Sequence, residues 1–135
     1  MTPSLTAVAL FAAWALVLIG LIISYRVFLV LAKGTPAYSW TRGKAIQDPP
    51  IIERASHAHL NTLENLPVFA AIVLAGVVSG QGAAIDALAP WVLYARVGQS
   101  VVHLIGVNQP LVLVRAGLFG AQVVLFIIML IRLFA

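Results

Sequence analysis

From Leu5 to Tyr25 the chain carries no charged residue. Few features constrain a fold more tightly. About 20 apolar residues in helical form cross a hydrocarbon core about 30 Å thick. In lipid, a spanning segment has to satisfy its own backbone hydrogen bonds, which leaves the α-helix or a closed barrel. The run is too long and too uniformly apolar for a barrel strand. It also lacks the basic leader and small-residue cleavage site of a signal peptide, since Arg26 is followed by VFLVLA. The whole composition agrees. Hydrophobic residues make up 62% of the 135 residues and charged residues 9%, against about 25% charged in a soluble domain. An all-α integral membrane protein is the expected class.

Three more apolar segments follow. The stretch KGTPAYSWTRGKAIQDPP, residues 33 to 50, holds three prolines and two glycines and reads as a polar loop. The spacing predicts spans over about 5–32, 51–79, 87–106 and 111–134, a single membrane domain. The second and third connections are short enough to require antiparallel neighbours, so the bundle is up-down-up-down. Arg26, Lys33, Arg42, Lys44 and Arg54 flank or occupy the first loop, whereas the second loop has only Asp86. By the positive-inside tendency the first and third loops face the cytoplasm, with Arg132 a weak opposing signal. The absence of targeting extensions points to a bacterial inner membrane. The eight Lys and Arg against four Asp and Glu are scattered, with no nucleic-acid motif, so the basic balance reads as membrane topology. No cysteine is present, which excludes disulfides and cysteine-based metal or redox sites.

The second segment is unusual. Arg54, His57, Asn61, Glu64 and Val68 are separated by 3, 4, 3 and 4 residues and therefore form one stripe along a helix. The third segment repeats the pattern with Arg96, Gln99 or Ser100, and His103. An ionised group facing lipid at the bilayer centre costs about 2.5–3.5 kcal/mol on insertion scales, so such groups turn inward. A Glu64–Arg96 pair that merely locks the bundle accounts for two of them. The number of polar groups exceeds what one interlock needs and suits a chamber for a polar, zwitterionic ligand. His57 and His59 lie about 200° apart on a helix and form no chelating pair, so no metal is expected. Trp14, Trp40 and Trp91 read as interface anchors or core, and Pro67 as a kink that frees a carbonyl.

On these residues the sequence resembles the MAPEG family, the membrane-associated proteins in eicosanoid and glutathione metabolism. The matching pattern is Arg54, Ala58, His59, Asn61, Glu64 and Pro67, and length and loop pattern agree over essentially the full chain. The resemblance implies a homotrimer of four-helix subunits with sites between neighbours, where glutathione is the co-substrate and a lipophilic electrophile or peroxide receives or is reduced by its thiol. It puts Asn61 and Glu64 on the glutathione contacts, the Glu meeting the tripeptide's amino group, and makes Arg26, Arg54 and Arg96 basic contacts. With His57 and Gln99 these are the expected binding residues. The chain departs from the family in three places. His57 replaces a second arginine, His103 replaces a tyrosine, and Val112 occupies the place of the thiol-activating arginine when the chain is aligned without gaps from Arg96. Arg115, one turn on, takes that role if the short third turn shifts the register, and His103 is the other candidate. A thiol with a pKa near 8.5 is mostly neutral at pH 7, and a neighbouring cation favours its thiolate.

Two expectations therefore stand side by side. One is a glutathione transferase or peroxidase acting on a lipophilic small molecule that arrives through the membrane lipids. The other is a member that keeps the fold without the chemistry and serves a structural or lipid-binding role. A small four-helix multidrug exporter fits less well, because its membrane carboxylate would belong in the first span, which has none.

Overall fold

The computed structural model describes residues 1–45 and 47–135. Among them it has four α-helices and no strand: α1 (Pro3–Lys33), α2 (Pro50–Val78), α3 (Ala89–Ile105) and α4 (Gln109–Phe134), with short 3-10 turns at Ala37–Trp40 and Gly82–Ala84. Each α-helix carries a proline in its first turn, where the missing N–H has no helical partner to lose. Thr2 and Asn108 cap α1 and α4 through their side-chain oxygens, which accept the N–H of Leu5 and Leu111. At its other end α1 stops at Gly34, whose φ of 65° is a left-handed conformation that glycine adopts without penalty.

At 1.5 Å per residue the 31, 29 and 26 residues of α1, α2 and α4 extend about 46, 44 and 39 Å. All three are long and apolar enough to cross a membrane. The 17 residues of α3 reach only about 25 Å. Like α2 it packs against all three other helices, and it carries buried Arg96, Gln99, Ser100 and His103. α2 runs through Pro67 as one continuous helix.

The up-down-up-down order is visible in what meets at each end. At the second-loop end, the N–H of Ser4 in α1 donates to Asp86 (3.0 Å) and Arg132 of α4 donates to the Ala84 carbonyl (3.2 Å). At the first-loop end, Asp48 organises the connection. Its carboxylate accepts from Arg26 (2.8 Å) and from the Trp40 indole (3.0 Å), while the Arg26 guanidinium lies 5.5 Å from the Trp40 ring centre. These bonds pin the loop onto α1 and leave the Asp48 side chain 4% exposed. Arg26–Asp48 is the single ion pair among the described residues.

The core is apolar and partly aromatic. Phe69 of α2 lies between Phe11 of α1 and Phe126 of α4, at centroid distances of 5.5 and 6.0 Å, with Ile72, Val73, Val92 and Met129 around them. A smaller cluster of Ile22, Ile52 and Ala55 closes the first-loop end. Gly76 permits a close approach, since a Cβ there would sit 3.0 Å from Ile85 and 3.1 Å from Leu133, whereas Gly117 and Gly120 face open space. Large apolar side chains cover much of the outside, among them Leu16, Val17, Leu31, Leu113 and Ile131. Such a surface is favourable in hydrocarbon and unfavourable in water.

Candidate functional site

The polar stripe of α2 opens onto a cavity. Asn61, Glu64 and Asn65 form one wall of a space of about 320 Å³, Gln99 of α3 forms its floor, and Val112, Arg115, Ala116 and Phe119 of α4 form the other wall. A second space, about 440 Å³, shares Asn61, Glu64 and Arg115 and continues past Leu60, His57, His103 and Val107 toward the first-loop end. Each is within the range of small-molecule sites, about 300–1,000 Å³. The chemistry differs from side to side. α2 offers one carboxylate and two carboxamides, whereas α4 offers apolar groups at positions 112, 116 and 119 with one guanidinium between them. This repeat of i, i+3, i+4 and i+7 keeps all four α4 residues on one face.

The residues expected from sequence are not all at this cavity. Asn61, Glu64, Gln99 and Arg115 line the first space, and His57 and His103 join the second. The two imidazoles face each other with ring centres 6.0 Å apart. His103 Nδ1 and Arg115 Nε are buried and have no partner among the described residues. Arg115 and Val112 both reach the cavity, so the guanidinium one turn beyond the gap-free position faces the same space.

Arg96 stands behind that wall. It is 1% exposed, its guanidinium lies 5.7 Å from the Phe11 ring centre, and its Nε and Nη2 are buried without a partner among the described residues. The expected Glu64–Arg96 pair does not form within 4.0 Å. Glu64 is exposed in the groove, whereas Arg96 is buried. Cation–π contact with Phe11 compensates part of the buried charge.

Arg54 and Arg26 are placed elsewhere. Arg54 Nε donates to the Leu104 carbonyl at 3.0 Å, in the last turn of α3. Helix carbonyls there lack internal partners and carry the negative end of the helix dipole, which a cation satisfies. An Arg54→Ala variant is therefore expected to lose about 1 kcal/mol of stability in detergent, with the first hydrogen-exchange change at the α3 C-terminus. Equal exchange throughout that turn would contradict the capping role. Arg26, held by Asp48 and Trp40, lines a separate pocket of about 270 Å³ with Asp48, Glu53 and Ser56. His57 and Leu60 line both this pocket and the second space, so His57 stands at their boundary. His59 turns the other way, its Nδ1 3.0 Å from the Ala15 carbonyl.

Four relevant residues escaped the sequence reading: Asn65, Ala116, Phe119 and Gln122. Asn65 follows Glu64 directly and donates to the Asn61 carbonyl at 3.0 Å. Ala116, Phe119 and Gln122 complete the helical face begun by Val112 and Arg115, and Gln122 is wholly buried and donates to Gln99 Oε1 at 3.0 Å. A polar residue seven positions beyond Arg115 was the available signal, obscured by the strongly apolar residues around it.

Comparison with curated proteins and with solved structures gave no match. The model of the MAPEG family matches residues 4–135, nearly the whole of a four-helix, membrane-type chain, and on that evidence the chain belongs to the MAPEG family.

Proposed function

We propose that this MAPEG protein is a membrane enzyme that binds glutathione or a similar thiol in the cavity between α2, α3 and α4 and transfers it to, or uses it to reduce, a lipophilic electrophile or peroxide. The observation that carries the reading is the two-sided lining. Glu64 and Asn61 suit the ammonium and amide groups of a peptide-like thiol, Arg115 suits a thiolate, and Val112, Ala116 and Phe119 suit an apolar co-substrate arriving from lipid. In transfer, the thiolate sulfur forms a bond to the electrophilic carbon as the leaving group departs. Arg54 and Arg96, occupied at the α3 terminus and over Phe11, support the walls in this scheme. The chain works as a homotrimer in a bacterial inner membrane, with its first and third loops in the cytoplasm and its cavities completed by neighbouring copies.

Calorimetry with glutathione on the detergent-solubilised protein tests the proposal. Binding in the micromolar to millimolar range is expected. Because Glu64 is exposed, its attraction for an ammonium is worth about 1 kcal/mol, so Glu64→Gln should weaken binding about fivefold. A folded protein that shows neither heat nor thermal stabilisation at millimolar glutathione would overturn it.

A second reading has its own support. Val112 stands in the cavity at the gap-free position of the activating arginine, and His57 replaces another arginine. Both substitutions fit a member that keeps the ligand pocket for a structural or lipid-binding role without turnover. Glutathione binding with no consumption of an added electrophile such as a halodinitrobenzene would favour this reading.

A further inference from the structure

The buried amides behind the cavity are arranged with a definite polarity. Gln122 is 0% exposed and Gln99 is 7% exposed. The Gln122 nitrogen, Nε2, makes two contacts. It donates to the Leu118 carbonyl at 3.2 Å and to Gln99 Oε1 at 3.0 Å. A backbone carbonyl only accepts, so the Leu118 contact fixes which end of the Gln122 amide is nitrogen. Its second N–H is thereby committed to the oxygen of Gln99. With its oxygen turned to Gln122, the Gln99 amide has its NH₂ group left to offer, and Gln99 lines the floor of the first cavity. The arrangement is kept although Gln122 Oε1 remains buried without a partner among the described residues. An unpaired buried acceptor is unfavourable, and an apolar residue at 122 would avoid it.

We infer that Gln122 is a positioning residue that holds Gln99 with its NH₂ turned into the cavity, so that this wall donates hydrogen bonds and selects a ligand bearing a carboxylate at that point. The inference rests on the thiol-binding reading of the cavity and adds a preference for the ionised ligand. Without Gln122 the Gln99 amide turns freely, and either its oxygen or its nitrogen faces the ligand.

The test compares glutathione with its diethyl ester, in which both carboxylates are masked, by calorimetry on the same full-length protein. Wild type is expected to prefer glutathione about tenfold or more, the value of one hydrogen bond to a charged group. Gln99→Met, which removes the donor, sets the scale for its loss. Gln122→Met should reduce the preference threefold or more. Gln122→Asn, which keeps a polar side chain but withdraws it by one methylene, should do the same and serves if the methionine variant does not fold. General loosening of the helix weakens both ligands together and leaves the ratio alone. A ratio that changes less than threefold in the folded Gln122 variants overturns the role of Gln122 while leaving thiol binding intact. Failure of wild type to bind glutathione overturns the reading of the cavity and this inference with it.

Discussion

Replacing Arg115 by leucine is expected to lower thiol transfer at pH 7 by about tenfold or more and to leave a residual rate that climbs with pH toward 9. A free thiol with a pKa of about 8.5 is only about 3% ionised at pH 7. A guanidinium that lowers the pKa to about 6.8 raises the thiolate fraction about 20-fold. Part of that gain is lost, because nucleophilicity falls with basicity, at a Brønsted coefficient of about 0.4–0.5, or about sixfold over this shift. The remainder of the effect comes from placing the sulfur against a fixed cation in a site of low dielectric. The pH profile separates this account from its rival. If His103 or His57 stabilises the thiolate instead, Arg115→Leu keeps the wild-type profile and changes only the affinity. A stopped-flow conjugation assay from pH 6 to 9.5 reads the difference, and a variant that shows wild-type rate and profile removes Arg115 from the chemistry.

How much of this was open to the sequence depends on the range of the physics involved. The helices follow from local patterns: long apolar runs, prolines at N-termini, the break at residues 33–50. The stripe of Arg54, His57, Asn61 and Glu64 follows from the 3.6-residue period, which places side chains on a face without any knowledge of neighbours. Periodicity does not say toward which helix that face turns. Arg54 lies on the stripe yet reaches the end of α3, because the offset between α2 and α3 puts the Leu104 carbonyl within its span. Arg96 lies on the polar face of α3 yet points at Phe11, so the simple pair with Glu64 does not form. The register of α4 is decided by the turn before it. α3 ends at Ile105 and Asn108 caps the next helix, a connection whose geometry brings both Val112 and Arg115 to the cavity. The Gln99–Gln122 bond joins positions 23 residues apart, and no local signal pairs two glutamines across two helices. Asp48 similarly appeared as a loop residue, and only the folded loop shows it bridging Arg26 and Trp40.

The walls of the cavity depend on the aromatic core beneath it, and Phe69→Ala is expected to cost about 2–3 kcal/mol. In a water-soluble core the same truncation costs about 3–5 kcal/mol, part of which is transfer of the ring out of water. In a membrane the separated helices leave Phe69 in lipid, so that transfer term is largely absent and the loss is one of packing. What disappears is contact with Phe11 and Phe126, which flank the ring from α1 and α4, and a ring-sized void remains that the long helices cannot collapse to fill. Phe69 is 0% exposed, so every face of the ring has a partner to lose. Phe28, 55% exposed on α1, supplies the control. Phe28→Ala exchanges ring–lipid contact for other lipid contact and should stay within about 0.5 kcal/mol. Reversible unfolding in mixed micelles measures both. The Phe69 variant should also bind thiol ligands more weakly, because its ring is where α1, α2 and α4 meet and two of those helices form the cavity walls. Equal losses for Phe28 and Phe69 would mean that the bundle is held by its environment rather than by the fit of its interior. The spacing between Glu64 and Arg115 would then be set by the surroundings of the bundle rather than by its own core.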